Sequence, residues 1–104
     1  MERHNEGSDE ATAARRLEEA LCTLSSPEEA HALLADLCSR REIIDLAQRL
    51  EVAAMLRGGA SYVDVSRATG ASSTTVSRVS KCLNGEEGGY RLVLERLEHQ
   101  DESS

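Results

Sequence analysis

Ser77, Arg78 and Lys81 lie three, four and seven residues beyond Thr74. At about 100° per residue, this spacing gathers all four on one face of a helix that begins near Ser73. Two short hydroxyls and two long cations on one face suit duplex DNA, because cations neutralise phosphates and small polar groups reach base edges. No acidic residue occurs from Ser66 to Gly85, so nothing in this stretch repels a polyanion. The opposite side of the same helix carries Val76, Val79 and Leu83, and it must be buried.

The preceding residues supply a partner for that helix. Ser61 can cap a short helix that ends at Gly70, where a left-handed backbone conformation stops a helix without Cβ strain. Ser72 or Ser73 can cap the second helix by accepting a bond from its free N–H groups. Val65, Ser66, Gly70, Val76 and Val79 keep the small-and-apolar spacing that lets two helices cross closely, although Ser66 stands where alanine is more usual. The stretch of about residues 61–83 therefore reads as a helix-turn-helix. Its candidate DNA-contacting residues are Ser61, Tyr62, Arg67, Ser72, Ser73, Thr74, Thr75, Ser77, Arg78 and Lys81. The bland alternative is a surface hairpin on a helical bundle, its serines and threonines merely soluble.

The composition offers little other chemistry. There is no glycine-rich phosphate loop, no nucleophile elbow and no paired metal ligands, so no enzymatic role, metal or cofactor is expected. Cys22, Cys38 and Cys82 are odd in number and lack CxxC spacing, and they read as small buried residues in a reduced cytoplasm. His4, His31 and His99 are scattered. No window approaches eighteen apolar residues and the N-terminus is polar and acidic, so neither a membrane span nor a signal peptide is expected.

Net charge is −7, which taken alone argues against a nucleic-acid partner. The charge is unevenly spread. Residues 1–38 carry three Arg against nine acids, residues 39–84 seven Arg or Lys against four, and residues 85–104 two Arg against six. The middle segment is therefore +3 between segments of −6 and −4, and local fields decide phosphate binding. The negative total predicts weak non-specific binding.

The remaining elements position this motif. Residues 1–10 and 99–104 read as disordered tails around one domain, residues 11–98. A first amphipathic helix is predicted over 11–24. Ser26-Pro27-Glu28-Glu29 opens a second, running to about Cys38. Ser39-Arg40-Arg41-Glu42 is a capping box that opens the longest helix, to about Arg57, ended by Gly58-Gly59. Its apolar stripe, from Ile43 through Leu46, Leu50 and Ala53 to Leu56, is wider than one neighbour can cover. A last helix spans about Tyr90 to Glu98. With 104 residues, no Trp or Phe and only two Tyr, thirteen leucines must supply most of the packing. A lone subunit should be marginal, which favours a core shared by two chains.

The run Ala47-Gln48-Arg49-Leu50-Glu51-Val52-Ala53, followed by Gly70-Ala71-Ser72 and Val76-Ser77-Arg78-Val79, resembles the tryptophan repressor (TrpR) superfamily and, within it, the YerC/YecD-type branch. The resemblance covers roughly residues 39–97. It implies an all-α fold of about six helices, an intertwined homodimer, and recognition helices that enter successive major grooves of a palindromic operator. Ser73, Thr74, Thr75 and Ser77 carry over as base- or phosphate-facing, and Arg78 and Lys81 as cations near the groove. The two arginines that sandwich the indole in the tryptophan-binding member fall on Arg49 and Arg78, with Ser39 and Cys82 at two hydroxyl positions of that pocket. Val79 departs from the pattern, which has glycine there, so L-tryptophan is not expected to be the effector. The alternative for Arg49 is a surface ion pair with Asp45, four residues earlier.

These readings converge on a cytoplasmic, dimeric transcriptional regulator acting on double-stranded DNA, with no membrane partner. The alternative is a helical dimeric interaction module without specific DNA contact.

Overall fold

The computed structural model describes residues 6–103, with side chains over 9–101. The described residues form six α-helices and no strand: α1 (Glu6–Leu21), α2 (Pro27–Leu37), α3 (Arg40–Arg57), α4 (Tyr62–Thr69), α5 (Ser73–Leu83) and α6 (Gly89–Ser103). They fall into two units, one up to Ser39 and one from Arg40 onward.

Within the described residues, the tails expected over 1–10 and 99–104 are helical. α1 already begins at Glu6 and α6 runs to Ser103, so residues 6–10 and 99–103 are helical. The added residues are mostly modest helix formers, and each run continues a helix rich in Ala, Arg, Glu and Leu with no proline from Glu6 to Leu24 or after Gly89. Residues 1–5 and 104 lie outside the described residues. At its other end α1 stops at Leu21 rather than 24, where the Thr23 hydroxyl donates to the Ala20 carbonyl at 2.7 Å.

In the first unit, α2 starts as its sequence dictates. The Ser26 hydroxyl accepts from the Glu29 N–H at 3.1 Å, and Pro27 occupies the first turn, where no N–H is needed. The Glu29 carboxylate reaches back to the Ser25 N–H at 2.8 Å. Packing does not follow from this capping. No residue of α2 is buried, and Leu17, Leu21 and Leu37 are exposed.

The second unit holds the core. α3 packs against α4, α5 and α6, and α5 packs against α4 and α6. Val52, Ala53, Val65, Ala71, Val76, Val79 and Leu94 form one buried cluster, flanked by Ala54, Met55, Leu56, Ala60 and Tyr90. Small side chains dominate it, which lets three helices approach closely without aromatic filling. α3 ends in a Schellman arrangement: Gly59 N–H donates to Leu56 O and Ala60 N–H to Met55 O, at 3.0 and 3.1 Å. The wide stripe of α3 is divided. Val52 and Ala53 are buried and Ile43 is half-buried, whereas Leu46 and Leu50 are exposed in the single chain.

Gly70 ends α4 with φ +78° and ψ 3°, its N–H donating to Ser66 O at 2.8 Å. A Cβ added there would meet nothing within 4 Å, so Gly70→Ala should act through backbone strain alone. We expect about 1–2 kcal/mol lower stability, read by urea denaturation, with the helical content of the folded state unchanged.

Candidate nucleic-acid interface

Helix α5 is built from its own ends. Ser72 is its N-cap, with φ −69° and ψ 161°, and its hydroxyl oxygen accepts from the Thr75 N–H at 3.1 Å. At the other end the Asn84 amide donates to Ser80 O at 2.9 Å, and Arg91 of α6 donates to Leu83 O. That guanidinium satisfies a terminal carbonyl and places positive charge at the helix C-terminus, where it is favoured.

Side chains far apart in sequence fix the turn before α5. Gln48 of α3 donates to the Thr69 carbonyl at 3.2 Å. The Thr69 hydroxyl donates to Val65 O at 2.7 Å and accepts from Ala71 N–H at 3.1 Å. The Ser66 hydroxyl donates to Ala71 O at 2.6 Å. Ser66 therefore supplies a partner for a turn carbonyl that an alanine would leave without one. Tyr62 O–H donates to Ser80 Oγ at 2.6 Å and ties the start of α4 to the later half of α5.

This scaffold sorts the candidate residues. Ser73, Thr74, Ser77, Arg78 and Lys81 are exposed on α5, and Tyr62 shares one shallow surface with Ser73, Thr74, Ser77 and Arg78. Ser61 and Ser72 are exposed but serve as N-caps, Ser61 accepting from Asp64 N–H at 3.1 Å. Arg67 is exposed, with Asp64 at 3.8 Å. Thr75 is half-buried, accepts from the Ser72 hydroxyl at 3.1 Å and lies along a neighbouring cleft.

That cleft, of about 410 Å³, opens between α3 and α5. Arg41, Asp45, Gln48 and Arg49 line it from α3, and Thr75, Arg78, Val79 and Cys82 from α5, with Tyr90 beside them. Arg49, Arg78, Val79 and Cys82 thus come together, whereas Ser39 is not among the lining residues. Asp45 pairs with Arg41 at 3.4 Å, not with Arg49. Neither Arg49 nor Arg78 has an acidic partner at ion-pair distance among the described residues. Val79 is 2% exposed and forms part of the floor. Cys82 is exposed, as is Cys22, and only Cys38 is half-buried. The expectation of three buried cysteines fails because Cys82 flanks Val79 at the open cleft between α3 and α5, and Cys22 follows α1 in a unit with little enclosure.

Among the described residues no group of three His, Cys, Asp or Glu is placed to hold a metal ion, and no helix is long and apolar enough to cross a membrane.

The family model described as "Trp repressor protein" matches residues 13–98. The chain belongs to the Trp repressor family. The uncharacterized protein YerC of Bacillus subtilis (strain 168) is 42% identical over 85 residues, covering 82% of each chain. A solved TrpR-like protein from Eubacterium eligens ATCC 27750 is 44% identical and superposes with a TM-score of 0.76, over 83% of this chain and 89% of its own. A candidate Trp repressor from Staphylococcus aureus gives 37% identity and a TM-score of 0.78, over 84% and 87%. The resemblance to YerC-type members of the Trp repressor family and the all-α fold are therefore as the sequence indicates.

The sequence reading does not single out Gln48 or Arg91, because each acts on a backbone carbonyl of another element. Val63, exposed beside Tyr62, is also absent from it. Its signal was available: it lies two residues from the buried Val65, off the apolar face of α4. For Gln48, we expect Gln48→Ala to cost about 1 kcal/mol and to accelerate amide hydrogen exchange at Gly70 and Ala71 more than in the body of α3.

Proposed function

We propose that this protein is a sequence-specific DNA-binding transcriptional regulator, a homodimer that reads palindromic duplex DNA in the cytoplasm, and not an enzyme. The observation that carries this reading is the exposed face of α5. It presents Ser73, Thr74, Ser77, Arg78 and Lys81 on a helix already capped and anchored at both ends. Hydroxyls there can reach base edges, and the two cations can neutralise phosphates on either side. Pre-organisation lowers the ordering cost of binding, which matters for a chain whose total charge is negative.

The exposed apolar surface supports the homodimer. Leu46 and Leu50 of α3 and Val93 and Leu97 of α6 are all exposed in the single chain. Leu50, Tyr90 and Val93 also line an apolar groove of about 540 Å³. The first unit has apolar residues but buries none in α2. Two copies can cover these faces mutually, and a symmetric dimer would set two recognition helices for two half-sites.

The cleft between α3 and α5 argues against L-tryptophan as the effector. Three guanidinium groups and Asp45 line it, and the Val79 isopropyl group occupies its floor. Accommodating an indole would mean displacing a packed side chain, at roughly 1–3 kcal/mol. Titration calorimetry should show no saturable tryptophan binding at sub-millimolar concentration, and DNA affinity should be the same with and without it.

Selection of bound fragments from a random duplex pool, followed by fluorescence anisotropy across salt concentrations, tests the main reading. Arg78→Ala or Lys81→Ala should weaken binding and reduce the salt slope by about one unit for each phosphate no longer neutralised, about two per dimer. Thr74→Ala or Ser77→Ala should instead relax preference among sites, by about 1–3 kcal/mol for each base edge that the hydroxyl reads. If all four variants bind as the parent does, an interaction module without specific DNA contact takes its place. The melting temperature should rise with protein concentration if folding and association are linked. A well-folded monomer at micromolar concentration in sedimentation would rule out the dimer.

A further inference from the structure

We propose that Val63, together with the ring of Tyr62, reads the 5-methyl group of a thymine beside the bases faced by α5, which makes site preference depend on that methyl group. The inference rests on the DNA-binding reading above and adds a base and a chemical group to it.

Val63 is 64% exposed, more than any other large apolar side chain among the described residues. Its position on α4 explains why: Val65 faces the core at 0% exposed, and two helical positions turn the chain by about 200°. A β-branched residue gains nothing there from burial and has slightly poor helix propensity. A single exposed valine is ordinary on a protein surface. Its neighbours set this one apart.

Tyr62 precedes it and is 51% exposed. Its hydroxyl is engaged by Ser80 at 2.6 Å, which holds the ring across the junction of α4 and α5. What Tyr62 offers outward is therefore chiefly apolar ring. Val63 and Tyr62 share a shallow depression of about 370 Å³ with Ser66, Arg67, Ser73 and Val76. Ser73 and Tyr62 also belong to the adjoining surface that carries Thr74, Ser77 and Arg78. The apolar patch is thus continuous with the hydroxyl-bearing start of the recognition helix. Its nearest charges are Arg67, with Asp64 at 3.8 Å, and Arg78.

Charge and size select the occupant. The patch adjoins a face where Arg67, Arg78 and Lys81 are exposed and no acid occurs from Ser66 to Gly85, and the carboxylate next to Val63, Asp64, has Arg67 at 3.8 Å; three cations against one acid suit a polyanion. Two side chains fall far short of the roughly 800 Å² per partner of a stable protein interface. They do match one methyl group. In the major groove the thymine 5-methyl is the apolar feature of a base edge, and aliphatic and aromatic side chains read it.

The test uses the whole 104-residue chain and a duplex selected from a random pool. Each thymine is replaced in turn by deoxyuridine, which removes only the methyl group and leaves base pairing and charge intact. Burial of one methyl is worth about fourfold in affinity. One thymine per half-site should therefore show about a fourfold loss, or about fifteenfold when both half-sites are changed. Val63→Ala, at an exposed position, should shrink that loss to less than twofold while the salt slope stays unchanged.

Tight, selective binding with no deoxyuridine-sensitive thymine overturns this proposal and leaves the DNA-binding reading standing. So does a sensitivity that Val63→Ala leaves intact. Failure to bind any duplex overturns both. A change in sedimentation on Val63→Ser with unchanged DNA binding would overturn it too, and would assign the patch to association between copies of the chain.

Discussion

Burial of Val76 and Val79 in the same cluster as Val52, Ala53 and Val65 is the constraint on which the helix-turn-helix depends. Each fully buried valine contributes about 1.5–3 kcal/mol relative to an exposed one, and together they fix the rotation of α5 about its own axis. Once those valines face inward, Thr74, Ser77, Arg78 and Lys81 have no choice but to face out. The polar outer face of α5 is thus a by-product of the core, and a helix rotated by one position would bury a polar side chain in its place. Small residues at the crossing bring α3, α4 and α5 close without aromatics, which suits a chain with no Trp or Phe.

Rotation alone does not set the height or tilt of α5. Polar ties do that at three levels: Gln48 and Thr69 at the turn, Tyr62 with Ser80 midway, and Arg91 on the final carbonyl. Each joins α5 or its turn to a different helix. A net hydrogen bond contributes only about 1 kcal/mol, so none holds the fold alone. Their shared effect is to make one arrangement of the helix-turn-helix preferable to close alternatives, and this is how a scaffold of small side chains can present a precise surface.

Much of this arrangement is legible in the sequence because its causes are local. Ser26 with Pro27, Ser61, and Ser72 announce helix starts through their own hydroxyls, Gly70 announces a left-handed stop, and the 3.6-residue period exposes the inward valines. The illegible part comes from residues distant in sequence or equally able to serve two partners. Asp45 stands four residues from both Arg41 and Arg49, and only packing decides that it joins Arg41 and leaves Arg49 facing the cleft. Gln48 and Thr69 are separated by twenty-one positions, and Tyr62 and Ser80 by eighteen. Ser66 stands at a position where alanine is more usual, and its role follows from the Ala71 carbonyl that it meets across the turn. The extra helical turns at Glu6 and Ser103 continue helices already started, with no proline to stop them, which polarity alone hides.

The central claim is that the exposed face of α5 is the surface that meets DNA. The most direct measurement is a two-dimensional amide NMR titration of the labelled protein with a selected duplex. If this face meets DNA, the largest shifts fall at Ser73, Thr74, Ser77 and Lys81 and at the start of α4, with α2 little changed. Shifts confined to Leu46, Leu50, Val93 and Leu97, with α5 unmoved, would contradict it.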